Sequence, residues 1–234
     1  GAATYGNALS GTPDIRRAVQ YWPDTATERI VVAADDATLQ KDNGLGTVWT
    51  AITGAAITVA GSVPHFSIGG RESSSLASAL FYADGISAER VLRGDGAAFA
   101  ALSAPPPEWT GTNRPRGFVI NQGYNWGFGQ PNLPHHLIRS LDTNHEDFTT
   151  TRFAVPIFGG DAPGLYLSCA LTFKGFLICW KFPGGVYAYD TRDAATANWF
   201  AVKIGGGGAP GPGCAVVMEN DVLWVAPQGG WHLM

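Results

Sequence analysis

A period of about fifty residues constrains this chain more than any other feature. The segment GLGTVWTAI, Gly44 to Ile52, recurs as GDGAAFAAL, Gly94 to Leu102, with glycines, aromatic, alanine and final aliphatic residue in register. Following the aromatic onward gives Trp49, Phe99, Phe148 and Trp199, at successive intervals of 50, 49 and 51 residues. A repeat of that length is one supersecondary unit, which buries its apolar face only by stacking on its neighbours. The runs upstream of each aromatic say what the unit contains. RIVVAA (29 to 34), ALFYAD (79 to 84), GFVIN (117 to 121), GFLICWKF (175 to 182) and DVLWVAP (221 to 227) are rich in β-branched and aromatic residues and are bounded by turn formers. That is the pattern of strands. A second matched pair, Leu177 to Tyr189 against Val222 to Met234, reads as strand, Gly-Gly turn and strand in both copies. Paired glycines suit a tight hairpin, where φ above zero is required.

Each unit therefore reads as a four-stranded antiparallel meander, and the chain as an all-β protein. The expected architecture is a β-propeller of four-stranded antiparallel blades, about five of them visible and the last incomplete. An ordinary β-sandwich with a fortuitous spacing is the alternative. The units fall at about 14–54, 55–104, 114–156, 164–205 and 212–234 of a single domain spanning 1–234. The fifth supplies three strands before Met234, so either Gly1 to Gly11 closes the ring or the chain continues. With no methionine before Met218, an excerpt of a longer protein is the expectation.

Composition supports this reading. The 31 glycines and 15 prolines fall at short intervals, which excludes long helices. Only 15% of residues are charged, the formal net charge is −4, and no block of like charge occurs, which argues against a nucleic-acid-binding surface. Cys169, Cys179 and Cys214 sit in apolar runs without CxxC spacing and read as buried thiols. The most hydrophobic stretch, Leu165 to Trp180, is cut by Lys174 into pieces far shorter than the ~20 residues of a membrane helix, so no membrane insertion is expected.

Three constellations are candidates for chemistry. PHHLIRSLDTNHEDF gathers His135, His136, Asp142, His145, Glu146 and Asp147, residue types that can hold zinc. Adjacent histidines on a strand point to opposite faces, however. A solvated hairpin with a helical turn around Asp142 to Asp147 is the favoured reading. Asp35, Asp36, Asp84, Asp95 and Asp190 stand at predicted strand ends, where paired carboxylates could serve a glycosidase but aspartates ordinarily support turns. The aspartate that a sialidase-type box needs five residues before the anchor aromatic is replaced by Gly44 and Gly94. Finally, Tyr124, Trp126 and Phe128 alternate, so their rings share one face of a strand, as a sugar platform or as packing against the next blade; packing is favoured. No GxSxG elbow or phosphate-binding loop is present. No catalytic, cofactor-binding or metal residue is assigned.

The order of these motifs resembles that of the β-propeller virion proteins of tailed bacteriophages, of the tail nozzle or tail hub type. The opening DIRRAVQYWPDTATERIVVAADDATLQKDNGLGTVWTAI is similar to the family's first blade, and LIRSLDTNHEDFT, Leu137 to Thr149, resembles its strand, acidic turn and aromatic. LTFKGFLICWKFPGGVYAY and NDVLWVAPQGGWHLM resemble two succeeding blades. The resemblance implies a non-enzymatic structural component of the virion, assembled in the host cytoplasm. It would be one copy in a ring homo-oligomer that meets connector or adaptor proteins and tail fibres, with DNA only as passing cargo. An acidic channel wall would suit that passage, since a basic one would hold phosphates. The alternatives are a secreted carbohydrate-binding or carbohydrate-cleaving propeller and a cellular interaction propeller.

Overall fold

The computed structural model describes residues 15–23, 29–34, 38–42, 49–55, 63–70, 78–94, 98–150, 153–157 and 165–233. They form a β-propeller. Blade 1 is β1 (Ile15–Tyr21), β2 (Arg29–Ala34), β3 (Leu39–Asp42) and β4 (Trp49–Ile52), and blade 2 is β5 (His65–Gly69), β6 (Ala79–Ala83), β7 (Arg90–Arg93) and β8 (Ala100–Ala101). Blade 3 comprises β9 (Gly117–Asn121), β10 (Tyr124–Phe128), β11 (His136–Arg139) and β12 (Phe153–Pro156). Blade 4 comprises β13 (Tyr166–Phe173), β14 (Phe176–Phe182), β15 (Val186–Asp190) and β16 (Phe200–Gly205). The described part of blade 5 has three strands, β17 (Ala215–Met218), β18 (Asp221–Val225) and β19 (Trp231–Leu233). Within every sheet the strands lie in chain order, each antiparallel to the next. Among the described residues the one helical piece is a 3-10 turn at Thr196–Asn198, and no helix is long and apolar enough to cross a membrane.

The first strands of successive blades touch one another, β1 with β5, β5 with β9, β9 with β13 and β13 with β17, so they surround the axis and the fourth strands form the rim. Alternation along each strand then sends side chains to the two faces of its blade, where they meet the neighbouring blades. Between blades 1 and 2 lie Tyr21, Leu39, Ile52, Phe66, Leu80, Tyr82 and Phe99. Phe81 and Val91 of blade 2 pack with Phe118, Ile138 and Phe148 of blade 3. Trp126, Phe128 and Leu137 meet Leu177, Cys179, Tyr187 and Tyr189 of blade 4, and Trp180 and Ile178 meet Val222 and Trp224 of blade 5.

Three of the four aromatics at fifty-residue intervals share one job. Trp49 opens β4, while Phe99 and Trp199 directly precede β8 and β16. Phe148 lies in the connection from β11 to β12. Phe99, Phe148 and Trp199 all join the cluster on the side of the preceding blade. Trp49 pairs with Asp42, putting it on the face of blade 1 opposite Leu39 and Ile52. The two Gly-Gly hairpins differ in detail. Gly229 has φ +83°, whereas the turn from β14 to β15 carries a cis Phe182–Pro183 peptide instead of a positive φ.

Candidate functional site

In an antiparallel meander, the connections that enter the first strands and those between second and third strands share one end of the propeller. At that end a cavity of about 580 Å³ opens, lined by residues from four blades. Arg17 comes from β1, Asp84 to Ile86 from the turn after β6, Arg116 from the approach to β9, and Pro210 to Cys214 from the approach to β17. The carboxylate of Asp84 is consumed locally. It accepts hydrogen bonds from the Tyr82 hydroxyl (3.0 Å), the amides of Ile86 (2.9 Å) and Ser87 (2.7 Å), and the Ser87 hydroxyl (2.9 Å). Burial, with the adjacent Asp84 charge, raises the Tyr82 phenol above its ordinary range. Asp84 thus builds the turn, as its strand-end position predicts.

The two arginines of this cavity are seated against glycines. A Cβ at Gly213, whose φ is +83°, would run into the Arg17 guanidinium. Gly85 (φ +78°) and Gly129 (φ +79°) flank the stem of Arg116, and a Cβ at either would lie 2.9 Å from it. The Arg116 guanidinium sits over the Tyr166 ring at 4.5 Å. Neither guanidinium, of Arg17 or of Arg116, has a hydrogen-bonding or ion-pair partner among the described residues. Along the axis below, the first strands enclose about 420 Å³ lined by Arg17, His65, Ser67, Cys169, Thr172 and apolar residues, with no acid among the described ones. His65 is held neutral: its Nδ1 accepts from the Phe118 amide (3.3 Å), and burial, aided by the Arg17 charge, lowers its pKa to about 3. Burial likewise pushes the Cys169 thiol up to about 12 and that of Cys179 higher still. Both are free thiols.

The histidine-rich cluster is split between the two ends. His135 and His136 stand at the start of β11, while His145 lies beyond its far end. There the His145 Nδ1 accepts from the Gly70 amide (3.0 Å) and its Nε2 lies 2.8 Å from the Gly123 carbonyl oxygen, so this imidazole bridges blades 2 and 3. Glu146 is fully buried and receives the Arg93 guanidinium through both oxygens, together with the Ser103 amide (3.1 Å). A solvated hairpin with a helical turn is thus not what forms over 142–147. The segment is a non-helical connection that fastens blade 3 to blade 2, because its polar groups find backbone partners across the interface. Among the described residues no group of three or more His, Cys, Asp or Glu side chains could hold a metal ion.

The carboxylates do not converge. Asp190 ends β15 at the opposite end from Asp84 and is paired with Arg192 at 2.7 Å, while Asp35, Asp36 and Asp95 lie outside the described residues. Trp126 and Phe128 are fully buried and Tyr124 half-buried, all packed toward blade 4, so their face is an interface and not a sugar platform. Sequence reasoning missed the cation at the rim of that interface. Arg139 lies over Tyr124, Phe153 and Trp199 at 4.2, 4.9 and 5.1 Å.

Among the described residues a row of apolar side chains on the rim stays uncovered. Phe200, Val202 and Ile204 of the rim strand β16 are 56%, 46% and 45% exposed. Val202 pairs with Ala188, which packs toward blade 5, so this row faces blade 5 as well. In blade 3 the corresponding rim strand is covered: Phe153 and Val155 meet Trp199 and Ala201 of blade 4. Blade 5, with three strands described, offers no equivalent cover. On its face away from blade 4, Val216 and Met218 are also about half exposed.

No protein-family model and no curated protein matches the chain. Its fold is that of the solved β-propeller BBS1N in complex with ARL6DN. For the mercury-soaked crystal the TM-score is 0.55 at 12% identity, with 97% of this chain and 67% of that one covered. For the lead-soaked crystal it is 0.56 at 13% identity, with 97% and 64% covered. The chain thus spans about two thirds of the length of these neighbours.

Proposed function

We propose that this chain is a non-enzymatic structural propeller that works by assembly, as one subunit of a homo-oligomeric ring in a tailed-phage tail nozzle or hub. The observation that carries the reading is the uncovered row Phe200, Val202 and Ile204 beside the three described strands of blade 5. A row of exposed apolar side chains on the face of a rim strand marks a surface for a further sheet to cover, and the interface between blades 3 and 4 repeats the arrangement in its covered form. The occupant proposed is a second copy of this chain, joined in the same sense around a ring. The low charge density fits extensive burial between subunits. DNA would then pass through a channel enclosed by the ring of subunits, with connector or adaptor proteins above and tail fibres around it.

The test is the mass of the purified chain by light scattering after size exclusion, followed by electron microscopy with class averaging. Rings that dissociate when Phe200 and Val202 are both changed to lysine support the reading. A monodisperse monomer at micromolar concentrations sinks it. A second reading is an interaction scaffold, favoured by the structural neighbour having been crystallised with a partner protein. A monomer that retains a partner of different mass would establish that reading instead.

A further inference from the structure

The mouth of the propeller at the end carrying Asp84 brings two arginines into one cavity. Arg17 and Arg116 are 99 residues apart in the chain and belong to blades 1 and 3, yet both line one cavity of about 580 Å³. Each is placed by close backbone approach, Arg17 against Gly213, and Arg116 between Gly85 and Gly129 with its guanidinium over Tyr166. All three glycines have φ between +78° and +83°. Side chains other than glycine adopt that conformation at a cost and would also displace the arginines. Of the other arginines at blade junctions, Arg93 is matched with Glu146 and Arg114 with Glu89 at 3.1 Å, while Arg139 is enclosed by the rings of Tyr124, Phe153 and Trp199. Arg17 and Arg116 are left without one among the described residues, and Asp84, the acid in the cavity wall, is already filled by four donors. Preorganised guanidiniums are the donors of choice for carboxylates and other planar oxyanions.

We propose that this mouth receives an acidic side chain, an aspartate or glutamate carboxylate, from an extended peptide segment of a partner protein. The rest of the lining favours a peptide. Val63, Ile86, Pro210 and Pro212 offer apolar contact to neighbouring residues. Gly211 and Gly213 expose backbone beside the arginines. Two cations and one acid in the described lining give a single formal positive charge, which one carboxylate neutralises and a phosphate dianion would exceed. This site is independent of the apolar row on β16, which lies on the rim.

Fluorescence anisotropy with a labelled hexaglutamate peptide, at physiological ionic strength, tests the assignment on the whole chain. A labelled Gly-Ser peptide of equal length is the uncharged control and inorganic phosphate is the competitor. The expected result is saturable binding of hexaglutamate but not of the Gly-Ser peptide, weakened about tenfold or more by Arg17→Gln and by Arg116→Gln separately. Arg192→Gln, at the opposite end, should leave it unchanged. Circular dichroism melts of the variants show whether they remain folded, and Gly213→Ala, which displaces Arg17 without removing its charge, is the second probe of the same contact. Failure of hexaglutamate to bind, equal binding by the arginine variants, or equal loss in Arg192→Gln would overturn the proposal. Tighter binding of inorganic phosphate than of the peptide would also overturn it, and would make this a phosphate site.

Discussion

Replacing Phe148 by alanine probes whether the fifty-residue aromatic holds neighbouring blades together. Phe148 is fully buried between blades 2 and 3, with its ring centroid 4.8 Å from that of Trp109 and 6.1 Å from that of Phe118. An aromatic side chain buries roughly 150 to 250 Å², and at about 25 cal/mol per Å² its complete removal from this site is worth about 4 to 6 kcal/mol. The unfolded chain already shields part of that area, and the alanine methyl keeps some contact. Two lost ring contacts and a partly relaxed cavity add to the remainder, which places the expected destabilisation near 4 kcal/mol, inside the range of about 3 to 5 for buried Phe truncations. The spacing by itself predicts such a cost, about 3 to 5 kcal/mol, at Trp49 and at Trp199 too. The structure ranks them differently. Both are only half-buried, but Trp199 contacts Tyr124, Trp126, Phe153 and Tyr189 as well as Arg139, so about 2 to 3 kcal/mol is expected there and about 1 to 2 at Trp49. Urea unfolding followed by far-UV circular dichroism measures all three, with an unchanged m-value as the sign that only stability moved. A cost at Phe148 below about 1 kcal/mol, or below that at Trp49, would refute the blade-to-blade role.

Backbone packing makes a sharper pair. A Cβ at Gly208 would strike the Lys181 carbonyl, whereas one at Gly206 meets nothing within 4 Å; Gly208→Ala should therefore lower the melting temperature by many degrees and Gly206→Ala should leave it nearly unchanged. The pH dependence follows from His65. Its pKa is about 3 in the folded chain against 6.5 as the ordinary value, so folding favours the neutral ring. The stability this contributes is complete above about pH 6.5 and is lost progressively as pH falls toward 3. Between those values His65→Gln should show a shallower loss of stability than the parent chain, and parallel slopes in denaturant titrations would contradict the assignment.

The parts of this molecule legible in the sequence are those with local causes. The RIVVAA and GFVIN runs coincide with β2 and β9 because each is a short run of β-branched or aromatic residues bounded by turn formers. Of the aromatics at fifty-residue intervals, Phe99, Phe148 and Trp199 mark the side of blades 2, 3 and 4 that meets the preceding blade. The turn-supporting role of Asp84 and Asp190 was readable from their place at strand ends. What stayed hidden depends on residues far apart in the chain. Arg139 gives no local sign that Tyr124, Phe153 and Trp199 will enclose it, and Glu146 looked solvated because its partner, Arg93, is 53 residues earlier. Arg17 and Arg116 carry no motif at all; the glycines beside them are ordinary turn residues until the blades bring them together.

Strand order has a consequence for how the molecule is made. In every sheet the strands are paired in the order in which they leave the ribosome, and the principal interblade clusters join blades that are consecutive in the chain. Each blade can therefore finish its hydrogen-bond ladder within about fifty residues of synthesis and dock on a predecessor that is already complete. Growth of this kind is nearly one-dimensional: the nascent end always presents one unfinished face, and only the arrival of the next blade conceals it.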